Sequence, residues 1–151
     1  MSTDSAEDNA MSRVVSLRLK DDQMERLQRA ARGLGRSPSQ AAALLLEESL
    51  RQRDYPFIQF RDSGAGRQAY LQGTRIAVWH LASIAQEYDG DASKVAAHLE
   101  IPEVQVKAVL AYASAYADEV EAAIADNEWV KDHVLPLTPG FTGFRVDALA
   151  P

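Results

Sequence analysis

The chain has 151 residues, a formal net charge of −6, 46% hydrophobic and 25% charged residues, and no cysteine. Disulfides and thiolate metal sites are excluded, and no run of about eighteen apolar residues exists to make a membrane-spanning helix. Met1–Ala10 is acidic rather than basic-then-apolar, so no export leader is read there, and one or two small domains of a cytoplasmic protein are expected.

Residues 1–12 read as a disordered lead, with Met11 as a second candidate start. From Arg13 to Lys20 the sequence alternates. Val15, Leu17 and Leu19 fall on one side, and Val14, Ser16 and Arg18 on the other, the period of a half-buried strand. A lone strand leaves its backbone groups unsatisfied. No second strand follows through a hairpin turn, because Asp21-Asp22-Gln23-Met24-Glu25 opens a helix. The expected partner is the same strand of a second copy. Such a two-fold antiparallel ribbon buries Val15, Leu17 and Leu19 and faces Ser16 and Arg18 outward. A ribbon of this size fits the major groove of DNA, where Arg reads guanine and Ser either kind of base. Arg13 flanks the same face.

Met24, Leu27, Ala30, Ala31 and Leu34 recur at helical spacing, which predicts a helix over 21–34 closed by a left-handed Gly35. Ser37 is the expected N-cap of a second helix, with Pro38 at its first position and an end near Arg53. Its N-terminal amides, beside Arg36 and Ser39, suit a phosphate. Leu46 and Leu50 on this helix complete the expected dimer core.

Strand, helix, Gly35-Arg36-Ser37, helix: residues 12–53 resemble the ribbon-helix-helix family of bacterial repressors and antitoxins (the Arc, MetJ, CopG and ParD type). The resemblance implies that Val14, Ser16 and Arg18 hold base-reading positions and that Ser37 and Ser39 belong to a phosphate-clamping turn. Val14 departs from the pattern, being apolar where many relatives carry a polar reader. The charge distribution agrees. Residues 11–53 carry nine Lys or Arg against five Asp or Glu, whereas residues 54–125 carry five against ten. A basic segment on an acidic chain marks where phosphate is tolerated, and the acidic remainder suits a basic partner.

Pro56 ends the second helix. Phe57–Arg61 reads as a strand and Asp62–Gly66 as a turn; Arg67–Leu71 and Arg75–Val78 flank a β turn at Gln72-Gly73-Thr74, so residues 57–78 are expected to form a small sheet. Helices follow: one from Trp79, ended by Tyr88-Asp89-Gly90, a short one capped by Asp91, one over roughly 102–116, and one beginning near Asp118. Gly73-Thr74-Arg75-Ile76 with Val78-Trp79, and the helices after it, resemble the 433 family of domains of unknown function over about residues 55–125. That resemblance implies an antitoxin module whose neighbour is a PIN-like ribonuclease toxin. Ala77 departs from it, standing where Pro is frequent. Residues 126–151 interleave Trp129, Phe141 and Phe144 with Pro136, Pro139 and Gly140, which reads as an extended tail lying in a groove of its own dimer or of a toxin.

Candidate chemistry is sparse. The segment from Asp91 to Tyr112 spells a helix-turn-helix, but Lys94 and Lys107 are its cations among more acids, so protein packing is favoured there over DNA contact. His80, His98 and His133 lack ligand spacing, and Asp118, Glu119 and Glu121 suit a helix N-terminus better than Mg²⁺; no metal or cofactor is expected. Trp79 and Tyr112 are read as core. Arg75 either holds an acid of its own domain or, with Trp129, Phe141 and Phe144, meets the toxin. No catalytic constellation stands out, so an enzyme is not expected. The fold expected is mainly α with short β: an N-terminal ribbon-helix-helix with an intermolecular ribbon, then a small β-hairpin and a helix-turn-helix-like bundle. The resemblances imply a homodimeric type II antitoxin that binds operator DNA, represses its own transcription and neutralises a PIN-like toxin. The alternative is a stand-alone ribbon-helix-helix regulator with a ligand-sensing or oligomerisation domain and no toxin.

Overall fold

A computed structural model describes residues 12–64 and 66–133. Among these residues the chain forms six helices and one two-stranded antiparallel hairpin, so it is mainly α with a short β element in mid-chain. It divides into two compact units after Leu45, inside the second helix rather than at the expected boundary beyond Arg53. The reason lies in Glu48, Arg51 and Gln52, whose side chains bond to residues that follow the helix.

In the first unit residues 12–20 carry no hydrogen-bonded secondary structure, and the expected ribbon is not formed within one protomer. Helix α1 (Asp21–Leu34) starts where the Gln23 side chain accepts from the Lys20 N–H at 2.9 Å, with Asp21 and Asp22 favourably placed against the helix dipole. It ends at Gly35 (φ 63°), where the Arg36 N–H reaches Ala31 O at 2.9 Å and the Gly35 N–H reaches Arg32 O at 3.2 Å. That left-handed closure satisfies two terminal carbonyls and favours a residue without Cβ. Helix α2 (Pro38–Asp54) opens on a reciprocal cap: the Gln40 N–H donates to Ser37 Oγ at 3.2 Å, and the Ser37 N–H to Gln40 Oε1 at 3.1 Å.

The second unit starts with the latter half of α2. Strands β1 (Ile58–Ser63) and β2 (Gly66–Leu71) pair in the register Ile58 with Leu71 through Ser63 with Gly66. After β2 the turn at Gln72-Gly73-Thr74 forms as expected, Gly73 taking φ 76° and the Thr74 hydroxyl bonding Leu71 O at 2.9 Å. Its far side is not a strand. An isolated bridge joins Tyr70 to Ala77, and the chain turns directly into α3 (Val78–Glu87), because Val78 and Leu81 are claimed by the helical core. Helices α4 (Ala92–Leu99) and α5 (Glu103–Ala115) follow; Asp91 caps α4 by accepting from the Ser93 and Lys94 N–H groups. The core between hairpin and helices centres on Leu71, Leu81, Val95, Val106, Val109 and Tyr112, all fully buried.

The last helix corrects the sequence reading. Helix α6 runs Ala117–His133, so residues 126–133 are helical and not an extended tail. No Gly or Pro interrupts the stretch from Ala117 to His133, and its hydrogen-bonded turns continue unbroken. Trp129 therefore lies on a helix, while Phe141 and Phe144 lie outside the described residues.

Candidate functional site

The basic N-terminal unit presents its expected readers openly. Arg13, Val14, Ser16 and Arg18 are exposed, and neither arginine has an ion pair among the described residues. The residues expected to be buried between copies are exposed too: Val15 is 77% and Leu17 72% exposed, and Leu19 also meets solvent. A single protomer thus offers water a row of β-branched and aliphatic side chains, an arrangement that burial against another surface stabilises at about 25 cal/mol per Å². On α2, Leu46 and Leu50, one turn apart, are also about half exposed.

At the start of α2, Arg36 and Ser39 are exposed, as the phosphate reading requires. Ser37 is more committed. Its hydroxyl accepts from Gln40 and its N–H donates to Gln40, which leaves the hydroxyl proton for an outside acceptor. What this helix start leaves open to an anion is Ser39, Arg36 and that one proton.

Sequence reading missed the polar cluster of the second unit. Arg51 donates from Nε to Glu47 at 2.8 Å, and from Nη1 to Glu119 at 2.7 Å and to the Tyr112 hydroxyl at 3.0 Å. Its guanidinium lies 3.8 Å from the centre of the Tyr116 ring, and Tyr116 in turn packs on Tyr112 at 4.7 Å. Burial works against the Arg51 charge, but the bonds to Glu47, Glu119 and Tyr112 outweigh it and raise its pKa. Burial pushes the Tyr112 hydroxyl up to about 12, against the opposing hydrogen bond from Arg51. Beside this cluster Glu48, 6% exposed, takes a two-pronged bond from Arg67, Nε to Oε1 at 2.8 Å and Nη2 to Oε2 at 2.9 Å. Apart from Glu47, one helical turn before Arg51, these hydrogen-bonding partners stand 19 to 68 residues apart, beyond any local spacing rule.

The Tyr112 hydroxyl makes an alkaline prediction. Its proton is held more tightly in the folded chain than at the ordinary value near 10, so its stabilisation is complete below pH 10 and fades as pH rises toward 12. Unfolding by urea at pH 9 and pH 11.5 should show a loss of about 2 kcal/mol from this group. Tyr112→Phe should remove that part of the loss, and an unchanged pH dependence in the variant would count against the assignment.

The remaining expected positions resolve simply. Tyr112 is core, as expected, while Trp79 is only half-buried. Arg75 is exposed and holds no acid among the described residues. Lys107 is taken up by Glu103 at 3.1 Å, which lessens further the case for DNA contact by α5. Glu119 pairs with Arg51 at the first turn of α6. Burial, followed by the charges of Lys131 and His98, lowers the His80 pKa. Trp129 is 57% exposed and stacked on His133 at 4.8 Å. Among the described residues no helix is long and apolar enough to cross a membrane. No family model, no curated protein and no solved structure matches this chain.

Proposed function

We propose that the chain is a ribbon-helix-helix antitoxin: a homodimer that reads operator DNA through a ribbon built from residues 13–20 of two copies and engages a toxin, a PIN-like ribonuclease by the resemblance stated above, through its acidic second unit. The observation that carries the reading is the exposure of Val15 and Leu17 on a segment that precedes two helices with the closing Gly35 and the Ser37 cap in register. Their alternation with Ser16 and Arg18 is what a two-fold ribbon uses, one face for the partner copy and one for base edges. Residues 12–45, the described part of the first unit, carry seven Lys or Arg against three Asp or Glu on a chain of net −6, which supports DNA as the ligand of this unit.

Arg18→Ala should weaken operator binding by about 1–3 kcal/mol and relax sequence preference, because one base-edge contact is lost from each copy. Gel shifts with the chain's own promoter and with random duplex measure both. Equal affinity for the two duplexes in the unaltered protein would remove the repressor assignment. Co-expression with the neighbouring gene product, followed by co-purification, tests the toxin; a chain that binds promoter DNA without retaining a neighbour is instead the stand-alone regulator.

A further inference from the structure

The second half of α6 stands out from the bundle. Val120 is buried at its root, but every residue from Glu128 to His133 is exposed, Trp129 and Val130 included. Beside it, between α6, α3 and β2, lies a groove of about 530 Å³. Val78, Trp79, Ala123 and Val130 give it an apolar lining, and Asp126 and Asn127 edge it. The positions 120, 123, 127 and 130 follow one another at three- and four-residue steps, so one stripe of α6 forms a wall of the groove. Ala123 in the middle of that stripe leaves the space open.

Charge identifies the occupant. Helix α6 carries six Asp or Glu and one Lys. Of the charged residues that line the groove, Arg67 is taken up by Glu48 and Asp62, and Glu119 by Arg51, whereas Asp126 makes no ion pair among the described residues. A segment with apolar side chains at helical spacing and Lys or Arg along its flank matches both the lining and the edge. We infer that this groove, continued by Trp129 and Val130, docks a basic amphipathic helix of a partner protein. This deepens the protein-partner half of the reading above and places the contact on α6.

The test uses the full chain as a Trp129→Phe variant, which leaves Trp79 as the lone fluorescent indole. The probe is a synthetic helical peptide with Leu on one face and Lys on the other, beside a twin with Glu for every Lys. The Lys peptide should shift Trp79 emission, and the Glu twin should not. Ala123→Trp, which fills the groove (read by displacement of a labelled peptide), and Asp126→Lys, which is exposed and keeps the fold, should each weaken binding about tenfold or more. Equal binding of both peptides, or binding that neither substitution alters, would overturn the assignment. So would a fall in sedimenting mass with Ala123→Trp, which identifies a second copy as the occupant, or increased proteolysis of residues 134–151 in that variant, which identifies the chain's own C-terminal stretch. Co-purification with the neighbouring gene product reads the wider proposal separately, since it succeeds wherever on the chain that partner sits.

Discussion

Leu17→Asp should leave the chain monomeric at micromolar concentration and lower its affinity for promoter DNA at least a hundredfold. The expectation follows from symmetry. In a two-fold ribbon each substitution appears twice, so two apolar side chains are withdrawn and two carboxylates are set near one another in a dry seam. Burying a leucine contributes about 1.5–3 kcal/mol, and an unpaired charge in its place costs more. Even the leucine loss alone, counted twice, reaches about 3 kcal/mol or more, a factor beyond a hundred. Sedimentation velocity measures the mass and a gel shift measures the affinity. Val104→Asp is the control, since Val104 is 59% exposed on α5 and outside the proposed ribbon. If Leu17→Asp sediments and shifts DNA as the unaltered chain does, the ribbon is not the dimer contact.

The second large effect is on stability. Arg67→Ala should lower the unfolding free energy of the second unit by about 3 kcal/mol, the low end for breaking a buried ion pair because water reaches part of the Arg67 side chain. The carboxylate of Glu48 would remain buried without its two-pronged donor. Asp62, 3.5 Å from Arg67, is largely exposed and contributes little to the sum. Urea denaturation followed by circular dichroism checks the value. The paired replacement Glu48→Leu with Arg67→Met should recover most of the loss, because it removes both charges together. Arg75→Ala, at an exposed cation without an ion pair, should stay within about 0.5 kcal/mol. A small effect at Arg67 would show that the pair is as weakly held as a surface one.

Local chemistry made much of the fold legible. The closing Gly35, the Ser37 cap, the Asp91 cap and the Gly73 turn are each written within a few residues, and each stands where the spacing puts it. Helix periods gave α1 its bounds for the same reason. Residues 75–78 misled, because a β-rich tetrapeptide yields to the helical core once Val78 is claimed by it. Residues 126–133 misled in the opposite way: scattered apolar residues without a clear stripe read as extended, although nothing in them stops a helix already under way. The Arg51 cluster and the Glu48–Arg67 pair were invisible, since both depend on tertiary approach of elements far apart in sequence. The candidate DNA surface was legible as a pattern of side chains, while the groove beside α6 emerged only with the packing of three elements.

Residues 12–20 have no hydrogen-bonded secondary structure inside one protomer. On the proposed reading, a cell holding few molecules assembles the reader in proportion to the square of their number, since two must meet to make one. Halving the supply then quarters the assembled form, which turns a modest change in synthesis or turnover into a sharp change in promoter occupancy.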